Sequence, residues 1–391
     1  MTTQAEHHGR VQKEVQRTRT GGDLTRLMLD GTKNAWHLDR VRAWERGERI
    51  APITVDMALT RGCDIACVFC YAVMEESESR RPITVAVMER FLADAASVDV
   101  KGVSLVGDGE STLSPAWEFS LLRGHELGIA MASGTNGYRV TPDVAERVLP
   151  ALTYLRFNFE AATPAAYARI MGTDEDHYQL ALCNVRAAME IKRRRGLPVT
   201  IGLQMVLMPQ YGEEILPLAR LAVELGVNYL QIKHCADDEF GSLGVDYAGY
   251  RRWYGELQEA EALSTADTRI MVKWQKIEAG NIRSYARCYG APFILEMSGA
   301  GLVVPCGMLT NQRYAKFHIG NIVDDSFAEI VRGDRYWEVM SYLASPKFDA
   351  RRMCGVLCLQ DATNRWLDER KKGLRALEDP IEPLPLHGEF L

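Results

Sequence analysis

Residues 61–71 read RGCDIACVFCY, and they follow an alternating, strand-like segment at residues 53–59. Three thiolates spaced C-x3-C-x2-C in this loop, Cys63, Cys67 and Cys70, can ligate three irons of a 4Fe-4S cube and leave the fourth iron open. A three-cysteine zinc site is the alternative interpretation, but zinc needs a fourth ligand, and the loop offers neither a histidine nor a further cysteine. The loop therefore predicts an iron–sulfur site that admits another molecule.

Strand-like and helix-like segments alternate along the chain after this loop. The predicted strands are residues 53–59, 102–106, 129–133, 154–159, 199–207 and 229–234, and helical patterns occupy residues 82–98, 116–127, 144–149, 178–195 and 213–225. Successive β-then-α units predict an α/β fold with a parallel sheet and right-handed crossovers, here a partial (β/α)6 TIM-like barrel over residues 51–250. Functional residues are then expected on the loops that follow the strands.

The pattern changes on either side of the predicted barrel. Residues 1–50 are expected to form a polar arm followed by one or two amphipathic helices. Residues 251–391 are expected to form an α+β domain with helices at 251–280, 324–345 and 361–378, short strands at 288–321 and an extended, proline-rich tail. We place the domain boundary between about residues 245 and 285.

The composition excludes several classes of protein. Of 391 residues, 47% are hydrophobic and 25% charged, which suits a globular protein with a real core. The net charge of −6 gives no electrostatic signal for nucleic acid or for an anionic membrane. No long apolar run and no signal peptide is visible, so we expect a cytoplasmic protein whose nine cysteines are not structural disulfides.

A second group of cysteines lies in the C-terminal part. Cys288 and Cys306 form a C-x12-G-x4-C element, and Cys354 and Cys358 follow as CGVLC. Four cysteines without a companion histidine can bind zinc or a second 4Fe-4S cluster, and the C-x3-C spacing is less usual for a zinc knuckle. A fully ligated cluster has no vacancy for a substrate, so its expected role is electron transfer.

The first cysteine loop, with Phe69 just before its third cysteine, closely resembles the signature of the radical S-adenosylmethionine (SAM) superfamily. The resemblance implies that the open iron binds the amino and carboxylate groups of SAM and that Phe69 lies near its adenine. The turn Asp108-Gly109-Glu110 resembles the family's Gly-Gly-Glu-Pro turn, with Asp in place of the first Gly and Ser in place of the Pro. Glu110 is then expected to accept a hydrogen bond from the amino group of SAM.

The resemblance extends to three polar positions at the ends of later strands. Asn136 lies in a polar turn after the third strand, and Asn158 and Gln204 occupy positions where the family places residues that contact SAM. The second cysteine group resembles the C-terminal extension called SPASM, or its shortened twitch form. Four cysteines imply one auxiliary 4Fe-4S cluster, in addition to the SAM-binding one.

The expected reaction follows from relatives of this architecture that modify carbohydrates and aminocyclitols in antibiotic biosynthesis. We expect an epimerase that acts on a small, sugar-like substrate, with Cys235 at the end of the sixth strand as hydrogen donor and a flavodoxin or ferredoxin as reductant. A dehydrogenase that forms a ketone is the alternative, and a ribosomal-peptide-modifying enzyme is a further one. An electron carrier would leave the open iron without a purpose.

Five other residues carry predictions of their own. Cys183 is expected to lie on the apolar face of a helix, in the protein core. His234, Asp237, Asp238 and Glu239 either bind substrate hydroxyls or act as a base, or else they form a solvated loop, and the sequence slightly favours the loop.

Overall fold

A ten-stranded sheet organises the computed structural model of the chain, which describes residues 24–29, 31–74, 81–238, 240–279, 282–354, 358, 360–380 and 382–391. The strands are β1 (Thr54–Met57), β2 (Gly102–Leu105), β3 (Ala130–Thr135), β4 (Leu152–Asn158), β5 (Thr200–Leu207), β6 (Tyr229–His234), β7 (Arg269–Val272), β8 (Ile294–Met297), β9 (Leu302–Val304) and β10 (Gly320–Asn321). Their order in the sheet is β10-β9-β8-β1-β2-β3-β4-β5-β6-β7. The run from β8 to β7 is parallel, while β9 and β10 pair antiparallel at one edge.

Helices connect the strands and cover the outer face of the sheet. They are α1 (Leu38–Glu45), α2 (Val85–Ser97), α3 (Ala116–Glu126), α4 (Pro142–Val148), α5 (Pro164–Met171), α6 (Glu175–Arg195), α7 (Ile215–Leu225), α8 (Tyr254–Ala262), α9 (Trp274–Ala279), α10 (Phe327–Arg332), α11 (Asp334–Ala344), α12 (Ala350–Met353) and α13 (Asp361–Lys371). Side-chain caps fix several of their first turns. Thr84, Thr141, Thr163 and Asp174 each accept a hydrogen bond from a backbone N–H of the helix that follows.

The predicted fold class is confirmed: the sheet is a partial barrel of βα units with an additional C-terminal part. Two details of the prediction are wrong. A separate helix, α5, precedes α6, and the segment 251–280, predicted as helical, contains strand β7 between α8 and α9. The strand β8 pairs in parallel with β1, so the sheet is continuous across the boundary placed between about residues 245 and 285.

The last residues of the chain pack beneath the barrel, against the first residues of several strands. Thr54 at the start of β1 donates a hydrogen bond to the carbonyl of Glu389 (2.9 Å). His387 Nε2 lies 2.5 Å from Thr200 Oγ1 at the start of β5. The ring of Phe390 joins a small apolar cluster with Tyr154 of β4. The tail thereby covers the end of the barrel opposite the loops that follow the strands.

Candidate functional site

The cysteines of the first group lie in the loop directly after β1. Cys63 is exposed, and Cys67 and Cys70 are half-buried. Burial, and then the nearby Glu160 and the two other thiols, raise the pKa of Cys67 above its ordinary value. Such a thiol becomes a thiolate when a metal replaces its proton, so an all-thiol loop of this kind fits an iron–sulfur cluster. Among the described residues, no three His, Cys, Asp or Glu side chains are arranged around a single metal ion.

Glycines on two other elements hold this cysteine loop by close backbone contact. Gly172 ends α5 in a left-handed conformation (φ +62°), and a Cβ there would lie 2.0 Å from the carbonyl oxygen of Ala66. At Gly109, in the turn after β2, a Cβ would lie 2.2 Å from the carbonyl oxygen of Thr60. Backbone hydrogen bonds complete the contact, among them the one from Val68 N–H to the carbonyl of Ile170 (3.0 Å). No side chain fits at either glycine without moving the loop.

Glu110 braces the turn after β2 against the turn after β3. Its carboxylate accepts hydrogen bonds from Thr112 N–H (3.1 Å), Thr112 Oγ1 (2.7 Å), Thr135 Oγ1 (2.9 Å) and Asn136 N–H (2.7 Å). The side chain is buried, and burial raises its pKa despite these donors. Both carboxylate oxygens therefore already accept hydrogen bonds from the protein. The contact of Glu110 with SAM stays a prediction.

Asp108, which stands where the family's turn has glycine, and Asn136 both make side-chain contacts with neighbouring loops. Asp108 Oδ1 accepts a hydrogen bond from Gly299 N–H (2.8 Å) in the turn after β8, and Oδ2 lies 3.7 Å from Arg61 Nε. Asn136 Nδ2 donates to Asp64 Oδ1 (2.6 Å), which lies between the first two cysteines. These contacts tie both turns to the cysteine loop and to the C-terminal part of the sheet.

Asn158 and Gln204 meet at the ends of β4 and β5. The two residues are register partners, and Gln204 Nε2 donates to Asn158 Oδ1 (3.0 Å). The structure thus brings together two residues that the sequence singled out independently. Their contacts with SAM stay predictions.

Cys235 lies beside the cysteine loop but has no exposed surface. Its Sγ is 3.9 Å from the carbonyl oxygen of Phe69 and 3.7 Å from that of Ala236. Burial raises the pKa of the thiol to about 12, so it carries its hydrogen at neutral pH. Phe69 is itself buried.

In the loop after β6, residues 240–242 are exposed, but Asp237 and Asp238 are buried. The Asp237 carboxylate accepts hydrogen bonds from three backbone N–H groups of its own loop, and Asp238 accepts from two such groups and from the Ser242 hydroxyl. Asp237, Asp238 and His234 are all buried, so the preference for a solvated loop was wrong. Glu239 lies outside the described residues.

The prediction for Cys183 was also wrong, because its side chain is exposed. Helix α6 buries Ala181, Leu182 and Val185. With 3.6 residues per turn, position 183 falls on the other side of the helix. The apolar character of the surrounding sequence did not show on which side of the helix Cys183 lies.

The four cysteines of the second group come together from separate parts of the chain. Burial, together with proximity to Cys358, raises the pKa of Cys288 and of Cys354 to about 12. Cys306 is half-buried, and its pKa is raised by desolvation, by Glu296 and by Cys358 and Cys354. A set of four half-buried thiols fits a cluster whose irons are all ligated by the protein.

Three residues around this auxiliary site were not found from the sequence. Asn364 Nδ2 lies 3.6 Å from Cys288 Sγ and 3.9 Å from Cys358 Sγ, and Tyr285 Oη lies 3.3 Å from Cys358 Sγ. Lys276 Nζ donates to the carbonyl of Cys358 (3.2 Å). No spacing in the sequence links these residues to the cysteines, since only the tertiary fold brings them close.

Charged residues inside the barrel were missed although the sequence carried a signal. Asp56, Arg156 and Lys233 each interrupt an otherwise apolar or uncharged strand, and each is half-buried. An isolated charge in a strand that is buried on both faces marks a polar interior.

Comparison with known families agrees with the fold and the site. The "Radical SAM superfamily" family matches residues 57–222, and the SPASM family, described as an iron–sulfur cluster-binding domain, matches residues 288–358. The chain thus contains a radical SAM domain followed by a SPASM domain. A radical SAM domain binds a 4Fe-4S cluster and SAM, and a SPASM domain binds auxiliary iron–sulfur clusters, which confirms the predicted cofactors.

Individual relatives come from several pathways. An AdoMet-dependent heme synthase of Methanosarcina barkeri is 25% identical over 78% of this chain and 88% of its own length. The mycofactocin maturase MftC of Mycobacterium tuberculosis is 32% identical over 38% of each chain. A PqqA peptide cyclase of Ruegeria pomeroyi is 26% identical over 46% of this chain and 47% of its own. The chain thus spans less than half the length of the latter two.

Among solved structures, SuiB of Streptococcus suis bound to S-adenosylmethionine superposes with a TM-score of 0.59 at 17% identity, covering 77% of this chain and 71% of SuiB. At this identity the likeness concerns the fold. None of these relatives bears out the resemblance to sugar-modifying epimerases. In the described part of the chain, no helix combines the length and apolar character needed to cross a membrane.

Proposed function

We propose that this chain is a maturase that oxidises a peptide substrate by radical chemistry. When bound, SAM and the two clusters supply a hydrogen-abstracting radical and an electron acceptor. One hydrogen atom leaves a substrate carbon, and the carbon then loses one electron and one proton. The peptide class is supported by the matches to the PqqA peptide cyclase and to the mycofactocin maturase.

The observation that carries the oxidative outcome is the four-cysteine auxiliary site. Its four cysteines leave no iron for a substrate, so the site serves electron transfer. Lys276 and the Asn364 amide lie against the cysteines, and positive charge and N–H groups beside sulfur stabilise the more negative, reduced state of a cluster. The Cys235 thiol is enclosed by protein and offers a substrate radical no exposed hydrogen.

An epimerase remains a second candidate, because one observation favours it. The Cys235 thiol stays protonated at neutral pH and lies beside the cysteine loop. In an epimerase, a hydrogen atom from this thiol would return to the substrate carbon.

The two outcomes differ in mass when the reaction runs in D2O. We would incubate the reduced, reconstituted enzyme with three panels of candidate substrates: peptides, tetrapyrroles and aminocyclitols. A substrate is identified by formation of 5′-deoxyadenosine above the rate measured without substrate. Oxidation predicts a peptide that loses two hydrogens, whereas epimerisation predicts one solvent deuteron on carbon. Turnover of aminocyclitols alone would contradict the peptide proposal.

Matched variants test the role of the thiol. Cys235→Ala should leave an oxidised product unchanged, as should the exposed control Cys183→Ala. Loss of product in Cys235→Ala alone, together with deuteron incorporation in the wild type, would replace the oxidative proposal with the epimerase.

A further inference from the structure

Arg156 is a cation inside the barrel without a partner in the described chain. It lies in the middle of β4, between register partners Gly134 of β3 and Gly202 of β5, neither of which has a side chain. Its Nε atom is buried and has no hydrogen-bond partner, and no described carboxylate forms an ion pair with the guanidinium. The group lies 5.9 Å from the centroid of the Tyr154 ring.

The floor beneath Arg156 is closed. The Tyr154 ring packs on His387 and Phe390 of the C-terminal tail, and the ring of Tyr229 covers Gly202. Arg156 nevertheless keeps part of its surface accessible. The accessible part therefore faces the opposite end of the barrel, where the cysteine loop lies.

Lys233 adds a second cation to the same interior. It is the register partner of Val206 near the end of β6, and the described residues give its ammonium neither a hydrogen bond nor an ion pair. Burial, and then the charge of Arg156, lower the pKa of Lys233 to about 7. The two cations are close enough to oppose each other.

Two acidic groups interact with these cations only at a distance: against the larger effect of burial, Arg156 and Lys233 lower the pKa of Asp56, and Lys233 lowers that of Glu160, without forming an ion pair in the described structure. Burial raises the pKa of Asp56 to about 6 and that of Glu160 to about 8. Glu160 Oε2 accepts a hydrogen bond from Val206 N–H, and the other oxygen is buried without a partner. Neither carboxylate lies within ion-pair distance of Arg156 or Lys233 in the described structure.

An unpaired guanidinium in a protein interior is costly, and a fold retains one where a ligand supplies the missing anion. The planar fork of arginine matches a carboxylate with two parallel hydrogen bonds. We propose that Arg156 and Lys233 bind a carboxylate of the substrate inside the barrel. For the peptide of the proposed function, on which this assignment rests, that group is the terminal carboxylate or an acidic side chain. A monoanion fits better than a phosphate dianion, because Asp56 and Glu160 lie in the same interior.

The experiment measures anion binding directly and needs no turnover. We would record the melting temperature of reconstituted protein in sodium acetate and sodium succinate against sodium chloride of equal ionic strength. The wild type should be stabilised by the carboxylates. Arg156→Met should lose this response and melt higher than wild type in chloride, since it removes an unpaired charge, and Lys233→Met should weaken the response. The exposed control Arg186→Met should retain it.

Four outcomes would overturn the proposal. An unchanged carboxylate response in Arg156→Met would exclude the site, and a lower melting temperature in chloride would assign Arg156 a structural role. If Arg156→Met does not fold, Arg156→Lys takes its place and is expected to keep only part of the carboxylate response. A full response in Arg156→Lys would contradict bidentate binding of the carboxylate by the guanidinium. A tenfold weaker binding of SAM to either variant would identify the anion as the carboxylate of SAM. The melting experiment does not depend on the substrate class. If the proposed peptide substrate is wrong, only the turnover measurements with peptides, tetrapyrroles and aminocyclitols will show it.

Discussion

Gly172→Ala tests how the cysteine loop is held, and Gly196→Ala is its matched control. Both glycines end a helix in the left-handed region, at φ +62° and +60°. The conformational strain of an alanine is therefore the same at both sites, about 1–2 kcal/mol. A Cβ at Gly196 meets nothing within 4 Å, whereas one at Gly172 would lie 2.0 Å from the carbonyl oxygen of Ala66.

The additional cost at Gly172 comes from the loop that must move. Two backbone hydrogen bonds join the loop to the end of α5, from Ala66 N–H to the Gly172 carbonyl (3.3 Å) and from Val68 N–H to the Ile170 carbonyl (3.0 Å). At about 1 kcal/mol each, their loss brings the total destabilisation of Gly172→Ala to about 3–4 kcal/mol, against about 1–2 kcal/mol for the control.

Urea unfolding measures the free-energy difference, and iron content with electron paramagnetic resonance measures cluster assembly. Gly172→Ala should lose the signal that SAM perturbs and keep the auxiliary cluster, while Gly196→Ala should keep both. Equal destabilisation of the two variants, with equal iron content, would refute the claim that this glycine positions the cysteine loop.

Three further predictions concern the auxiliary site, the barrel interior and the tail. Asn364→Leu removes N–H groups from Cys288 and Cys358 and should lower the reduction potential of the auxiliary cluster in a redox titration; an unchanged potential would exclude this role. Because the pKa of Asp56 rises from 3.8 to about 6 on folding, its stabilisation is complete below pH 3.8 and is lost as the pH rises through about 6. Asp56→Asn should therefore flatten the fall in melting temperature across this window, and an unaltered slope would contradict the assignment. Phe390→Ala should cost about 3 kcal/mol in urea unfolding, as for other buried phenylalanines, and a cost near zero would show that the tail does not support the barrel.

The sequence predicted the parallel strands well because each is a short apolar run bounded by turn residues. The strand β6 was predicted with its observed bounds, Tyr229–His234. The strand β7 was missed because it has only four residues, Arg269–Val272, between two helical segments. Its identity as a strand depends on pairing with β6, which no local pattern encodes.

The candidate site likewise contains some residues that the sequence could predict and others that it could not. The cysteines were predictable because thiols at fixed spacing have few other uses in a reducing compartment. Asn364 was not predictable, because its contact with Cys288 spans 76 positions of the chain and depends on how α13 packs. The Asp at position 108 looked like a weak match to a motif, and only the structure gives its reason, a hydrogen bond to Gly299 N–H after β8.

The central claim is that two cysteine groups hold two clusters with separate tasks. Iron and sulfide content, combined with electron paramagnetic resonance, tests it on anaerobically reconstituted wild type and on a variant with Ala at Cys63, Cys67 and Cys70. Two 4Fe-4S clusters predict about eight irons in the wild type and about four in the variant, with a signal that SAM perturbs only in the wild type. About four irons in the wild type and none in the variant would contradict the account, because the second group would then hold no iron–sulfur cluster and could not accept the electron.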